Sequence, residues 1–164
     1  MEIPAHVALW FLPFVLPICF YVAFTDLREM RITNQAVMAL ALVFIVVGPF
    51  LFPLPVYGWQ LAQMIIVLVL GVLLNAGGAI GAGDAKFAAA AAPYIMVADL
   101  RVLLALFAAN LLAAFVTHRL VKYTPLRQIA PGWKSWDMGW KFPMGLSLGG
   151  SLALYLILAT QFGS

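Results

Sequence analysis

A chain of 164 residues that is 65% hydrophobic and only 9% charged departs from soluble domains, which are roughly 45–50% apolar and about 25% charged. Its net charge of +3 comes from nine basic and six acidic residues, too small a basic patch for a nucleic-acid partner. At about 20 residues per crossing, the length holds about six short-looped transmembrane helices and no sizeable soluble domain. The expected fold is an all-α integral membrane bundle, one domain over residues 1–164, with its function in the bundle or in its short connections.

Backbone groups cannot stay unpaired in lipid, so each long apolar run predicts a helix. The first covers residues 5–24. It lacks a basic leading region and a small-residue cleavage site, and it holds Pro13 and Pro17, which marks a retained span rather than a removable signal. Cys19 stands alone, so no intramolecular disulfide or multi-cysteine metal site can form, and it reads as a small core residue. A short charged turn follows, with Asp26, Arg28, Glu29 and Arg31.

The second span covers residues 35–52 and ends at Pro53 and Pro55, which cannot continue a helix. The third covers 59–75 and stops at Asn75-Ala76-Gly77-Gly78. The fourth, over 84–98, reaches only about 21 Å against a hydrocarbon layer of about 30 Å. Either it meets the fifth helix short of the far surface, or the preceding glycine turn dips inward. Its alanine run at 88–92 predicts close packing against neighbours. The fifth span covers 100–118 and the sixth 144–162.

Arg28, Arg31, Lys86, Arg119, Lys122, Arg127, Lys134 and Lys141 then fall on one side of the bundle, and Arg101 on the other. The positive-inside rule makes the first side cytoplasmic and puts both chain ends outside. Asp26 and Asp84 share the cytoplasmic side. The connection from 119 to 141 interleaves its cations with Tyr123, Trp133, Trp136 and Trp140, a mixture suited to contact with membrane lipids at the interface.

Gly81-Ala82-Gly83-Asp84-Ala85-Lys86 is the central stretch, because a carboxyl beside hydrocarbon is costly and marks a functional group by default. Asp26 is its best partner. Two carboxylates held together in a poorly solvated place cannot both ionise cheaply, so one keeps a proton while the other acts as a base. That is the chemistry of an aspartic protease, which needs neither metal nor cofactor. Simpler readings stand beside it: Asp84 as a helix N-cap, Asp26 as a solvated charge paired with Arg28 or Arg31, and Lys86 as a snorkelling, charge-balancing residue.

Other chemistries find less support. His6 and His118 fall on opposite faces, against a shared metal site. Ser135, Ser147, His118 and Asp137 lie on one side but lack a nucleophile-elbow context. Gly81-Ala82-Gly83 is half a dinucleotide fingerprint without its strand or third glycine.

At these residues the chain resembles the type IV prepilin peptidases, membrane aspartyl proteases marked by Gly-x-Gly-Asp. Gly81, Gly83, Asp84 and Lys86 match that motif. Asp26, Arg28, Ile32 and Asn34 match the family's Asp-x-x-x-x-x-Ile-Pro-Asn pattern, with Thr33 in place of its proline. Lys141-Phe142-Pro143-Met144-Gly145 is similar to the Pro-x-Gly start of the family's last span. The resemblance implies a catalytic pair, Asp26 and Asp84, with Gly81, Gly83, Lys86, Arg28, Asn34 and Pro143 shaping the site. It also implies a prepilin substrate, cut at the cytoplasmic face of a bacterial inner membrane between a short basic leader and a hydrophobic helix. The short first connection and the absence of cysteine pairs resemble the compact form associated with tight-adherence (Flp) pili, which implies cleavage without methylation of the product. A proton- or cation-coupled transporter component, and a non-catalytic scaffold of a pilus or secretion machine, are the alternatives.

Overall fold

The computed structural model describes residues 1–139 and 141–164, which leaves Trp140 of the interfacial segment outside the described residues. The described residues form six α-helices: α1 Ala5–Glu29, α2 Asn34–Leu51, α3 Leu54–Ala76, α4 Ala82–Ala91, α5 Leu100–Lys122 and α6 Met144–Phe162. Five helical stretches are long and apolar enough to cross a membrane: α1, α2, α3, Val97–Lys122 (which includes α5) and α6. The sixth span has the expected bounds. α1 runs further than expected and carries Asp26 inside its last turn instead of in a loop. α3 begins earlier, because Pro53 and Pro55 also open the next helix: one sits at the N-cap and the other in the first turn, where a missing N–H costs nothing.

The continuous fourth span expected over 84–98 is broken. α4 has ten residues, about 15 Å of rise, followed by 3-10 turns at Ala92–Tyr94 and Val97–Asp99. Pro93 is the cause, since it has no N–H to continue the α-helical ladder. Side chains from α3 and α6 then satisfy the backbone exposed by the break, the Tyr155 hydroxyl accepting the Met96 N–H at 3.4 Å. The Gln63 amide donates to the carbonyls of Ala92 (3.5 Å) and Ile95 (3.2 Å). The Tyr94 hydroxyl donates to the Leu40 carbonyl at 2.7 Å, and Gln60 reaches the Met96 sulfur at 3.0 Å. Irregular backbone is tolerated inside a membrane protein when protein surrounds it in this way.

The broken segment ends at Asp99, a buried carboxylate that the sequence reading passed over. Its oxygens accept the N–H groups of Glu2 (2.9 and 3.0 Å) and Ile3 (3.2 Å) and the Tyr155 hydroxyl (2.8 Å). Residues 82–99 therefore lead from the glycine turn to the end of the bundle that holds both chain ends, where Met1 N donates to the Phe162 carbonyl at 3.0 Å.

α1 and α6 form the most extensive helix pair. Their approach needs small residues, since a Cβ on Gly149 would stand 2.9 Å from the Cys19 carbonyl oxygen. Beside them an aromatic core joins Phe11, Phe44 and Tyr94, with ring centroids 4.8 Å (Phe11–Tyr94) and 5.3 Å (Phe44–Tyr94) apart. Ala89, Ala90, Ala91 and Ala92 are buried, as close packing of the alanine run requires. The segment after α5 folds back on the bundle: Trp133 stacks on Trp136 (5.6 Å), and Trp136 on His118 (4.9 Å).

Candidate active site

The first motif lies on the α1–α2 turn and the second on the α3–α4 turn, and two contacts and a shared cavity join them. Gly83 packs so closely on Ile32 that a Cβ there would stand 3.3 Å from the Ile32 Cβ. The Lys86 ammonium donates to Asn34 Oδ1 at 3.1 Å. Asp26 and Asp84 line one cavity of about 780 Å³, and their charges lie within electrostatic reach of each other.

Thr33 explains how the first turn holds without the family's proline. Its φ of −76° is one that proline also adopts, and its hydroxyl accepts the Ala36 N–H at 3.3 Å. A cap replaces the ring. Just before it, Met30 is the one non-glycine residue with positive φ among the described residues, at 56°. It closes α1 in the left-handed conformation by donating its N–H to the Asp26 carbonyl at 2.9 Å, and its side chain lines the cavity. Nothing in the sequence marks it. Backbone strain of this kind, roughly 1–3 kcal/mol, collects at functional sites.

Asp26 is only 5% exposed, so it is not the solvated loop charge considered above. Arg31 pairs instead with Glu29, at 2.8 Å. Oδ2 of Asp26 accepts the backbone N–H of Gly145 at 2.6 Å. The lack of a side chain at 145 is required: a Cβ would stand 2.9 Å from the Asp26 Cβ and 3.0 Å from Oδ2. Buried Pro143 sits at the N-cap of α6, starting the helix so that its second residue aims an N–H at the acid. The sequence showed the Pro-x-Gly signal without its reason.

Asp84 sits in the first turn of α4, two positions after its first residue, with Gly81 at the N-cap. It is therefore not the N-cap itself. Its carboxylate reaches back to the Gly81 N–H, the second half of a capping box. Gly81 leaves room for that fold-back, since a Cβ would lie 2.7 Å from Asp84 Oδ2 and push the carboxylate aside. Burial pushes the Asp84 pKa above 3.8, and the Gly81 hydrogen bond pulls in the opposite direction. Gly78, at φ +74°, supplies the turn that carries the chain over the cavity.

Of the other residues expected to shape the site, Lys86 and Asn34 make the bond described above. Arg28 is exposed at the end of α1 and is not among the cavity-lining residues, whereas Arg31 and Lys141 are. Ser135, Ser147 and His118 do not assemble: their hydroxyls and ring nitrogens are buried without hydrogen-bond partners among the described residues, and Asp137 pairs with Arg127 at 2.7 Å. Among the described residues no three His, Cys, Asp or Glu side chains cluster as metal ligands would.

The sequence pattern of the type IV leader peptidase family matches residues 1–118. The match takes in both acids and stops before α6, so Gly145 lies beyond it. Among curated proteins, and among solved structures, nothing matches. With the family pattern covering well over half of a polytopic helical chain, the protein belongs to the type IV leader peptidase family and is a membrane aspartic peptidase.

Proposed function

We propose that Asp26 and Asp84 are the catalytic pair and that they remove the leader of a type IV, Flp-like prepilin at the cytoplasmic face of a bacterial inner membrane. The observation that carries this reading is the pair itself, two partly desolvated carboxylates on one cavity, each held by a backbone N–H. With one proton shared between them, the ionised member takes a proton from water as its oxygen attacks the scissile carbonyl carbon. The protonated member hydrogen-bonds the carbonyl oxygen and neutralises it. The tetrahedral intermediate then breaks its C–N bond as a proton passes to the leaving amine. The leader departs with a new carboxylate, the mature chain with a free amine, and no metal or covalent intermediate takes part.

The cytoplasmic assignment rests on the basic residues. Arg31, Lys86 and Lys141 flank the two acids, and Arg119, Lys122, Arg127 and Lys134 belong to the end of α5 and the segment after it, whereas Arg101 begins α5 beside Asp99. Both chain ends then lie outside. A prepilin helix hides its amides, so the junction must unwind beside the cavity, and glycine there lowers that cost. The decisive experiment follows cleavage of a prepilin in vesicles by Asp26→Asn and Asp84→Asn. Both variants are expected to be inactive and folded, and normal processing by either one overturns the assignment. Methyl transfer from S-adenosylmethionine to the product would overturn the peptidase-only form.

A further inference from the structure

The cavity of the two acids ends where α4 and α6 enter the bundle, and a second hollow begins one turn along the same two helices. It is an apolar cleft of about 160 Å³ between α4 and α5, with α6 as its floor. Asp84 lines the first cavity, and Phe87 and Ala88, three and four residues on, line the second. Met144 and Leu148 repeat the relationship on α6. Residues three and four apart share a helix face, so cleft and cavity are successive parts of one surface. Across from α4 the wall is Leu104 and Phe107 of α5, a helix whose main contact is with α6.

We propose that this cleft seats the first turns of the hydrophobic helix of the precursor, so that the scissile bond preceding it falls at Asp26 and Asp84. The proposal rests on the peptidase reading above and adds the place where the substrate is held. The lining suits an apolar helix that starts at the acids. The cleft wall is apolar, and the one polar side chain on it, Ser151, has its hydroxyl already engaged with the Ser147 carbonyl at 2.6 Å and the Asn110 amide at 3.2 Å. Ala88 and Ala91 leave room for a helix to come close. The acids at one end fix the direction, with the leader in the wider cavity that holds the charged side chains and the apolar helix running away along α4.

The test uses the full-length peptidase in vesicles with two substrates, a whole precursor and a peptide spanning leader and junction without the helix. Leu104 is 57% exposed, so Leu104→Trp narrows the cleft without disturbing the fold. Loss of one well-buried apolar contact raises KM for the whole precursor about tenfold at unchanged kcat, with cleavage of the peptide unaltered. Leu104→Cys, with Cys19 buried, is expected to form a disulfide with a cysteine placed in the first two turns of the precursor helix. An unchanged KM for the precursor, or cross-linking only to a second copy of the peptidase, overturns the docking site while the catalytic pair stands. If the unaltered peptidase cuts neither substrate, the peptidase reading fails, and the docking site with it.

Discussion

Gly145 donates its backbone N–H to Oδ2 of Asp26 at 2.6 Å, across 119 positions of sequence. The contact is short because the glycine has no Cβ, and it holds the acid from the first turn of α6. Gly145→Ala therefore tests whether Asp26 must stand where it does. The added methyl forces Asp26 or α6 to move, at about 1–3 kcal/mol of overpacking. Cleavage is expected to fall about a hundredfold, since displacement of a reacting group by about 1 Å costs on that order. Rate and thermal midpoint measured on the same preparation check this, and a variant with normal kcat would refute it.

Asp84 has a pH signature. Burial raises its pKa above 3.8, so between that value and the raised one the folded state binds more protons than the unfolded state. Stability accordingly falls as pH rises through that interval. Asp84→Asn keeps an oxygen that can accept the Gly81 N–H and never ionises. It is expected to abolish cleavage, to be no less stable than the parent at neutral pH, and to lose the parent's fall in stability over that interval. Thermal melts from acid to neutral pH decide it, and identical profiles for the two proteins would count against a buried Asp84.

Lys86 and Asn34 tie the second motif to the first in an exposed position. An exposed bond of this kind contributes little to stability, so Asn34→Ala is expected to shift unfolding by under about 1 kcal/mol. Its effect on catalysis should be larger, about tenfold, because the start of α4 sets where Asp84 stands. Equal small losses in both measurements would show that the bond does not position the site.

Asp99 offers the opposite pattern. Its removal in Asp99→Ala leaves the N–H groups of Glu2 and Ile3 and the Tyr155 hydroxyl without their acceptor. The expected loss is about 2–3 kcal/mol of stability, with the cleavage rate per folded molecule unchanged, since this latch lies at the other end of the bundle. Tyr155→Phe should cost about 1 kcal/mol. A drop in kcat for the folded fraction would mean that the latch reaches the acids.

Much of the molecule was legible as sequence because its rules are local. Apolar runs name the helices, breakers bound them, and α6 falls on the residues that hydropathy and Pro143 mark out. Asp26 and Asp84 stood out because a carboxyl beside hydrocarbon demands a reason. Other features depend on contacts between distant segments, and no local rule yields them. Pro93 was visible, but whether α4 could break there depended on Gln63 and Tyr155 being at hand to bond the freed backbone. Gly81 and Gly83 look alike in the motif, yet one makes room for its own helix's carboxylate and the other for Ile32. Gly145, Met30 and Asp99 act through partners remote in sequence or through a backbone angle. The sequence by itself determined the helical membrane character and singled out the two carboxyls, because composition and charge are properties of single residues. Only the tertiary structure decided how the acids are held, because a hydrogen bond across 119 residues exists only once the helices have packed.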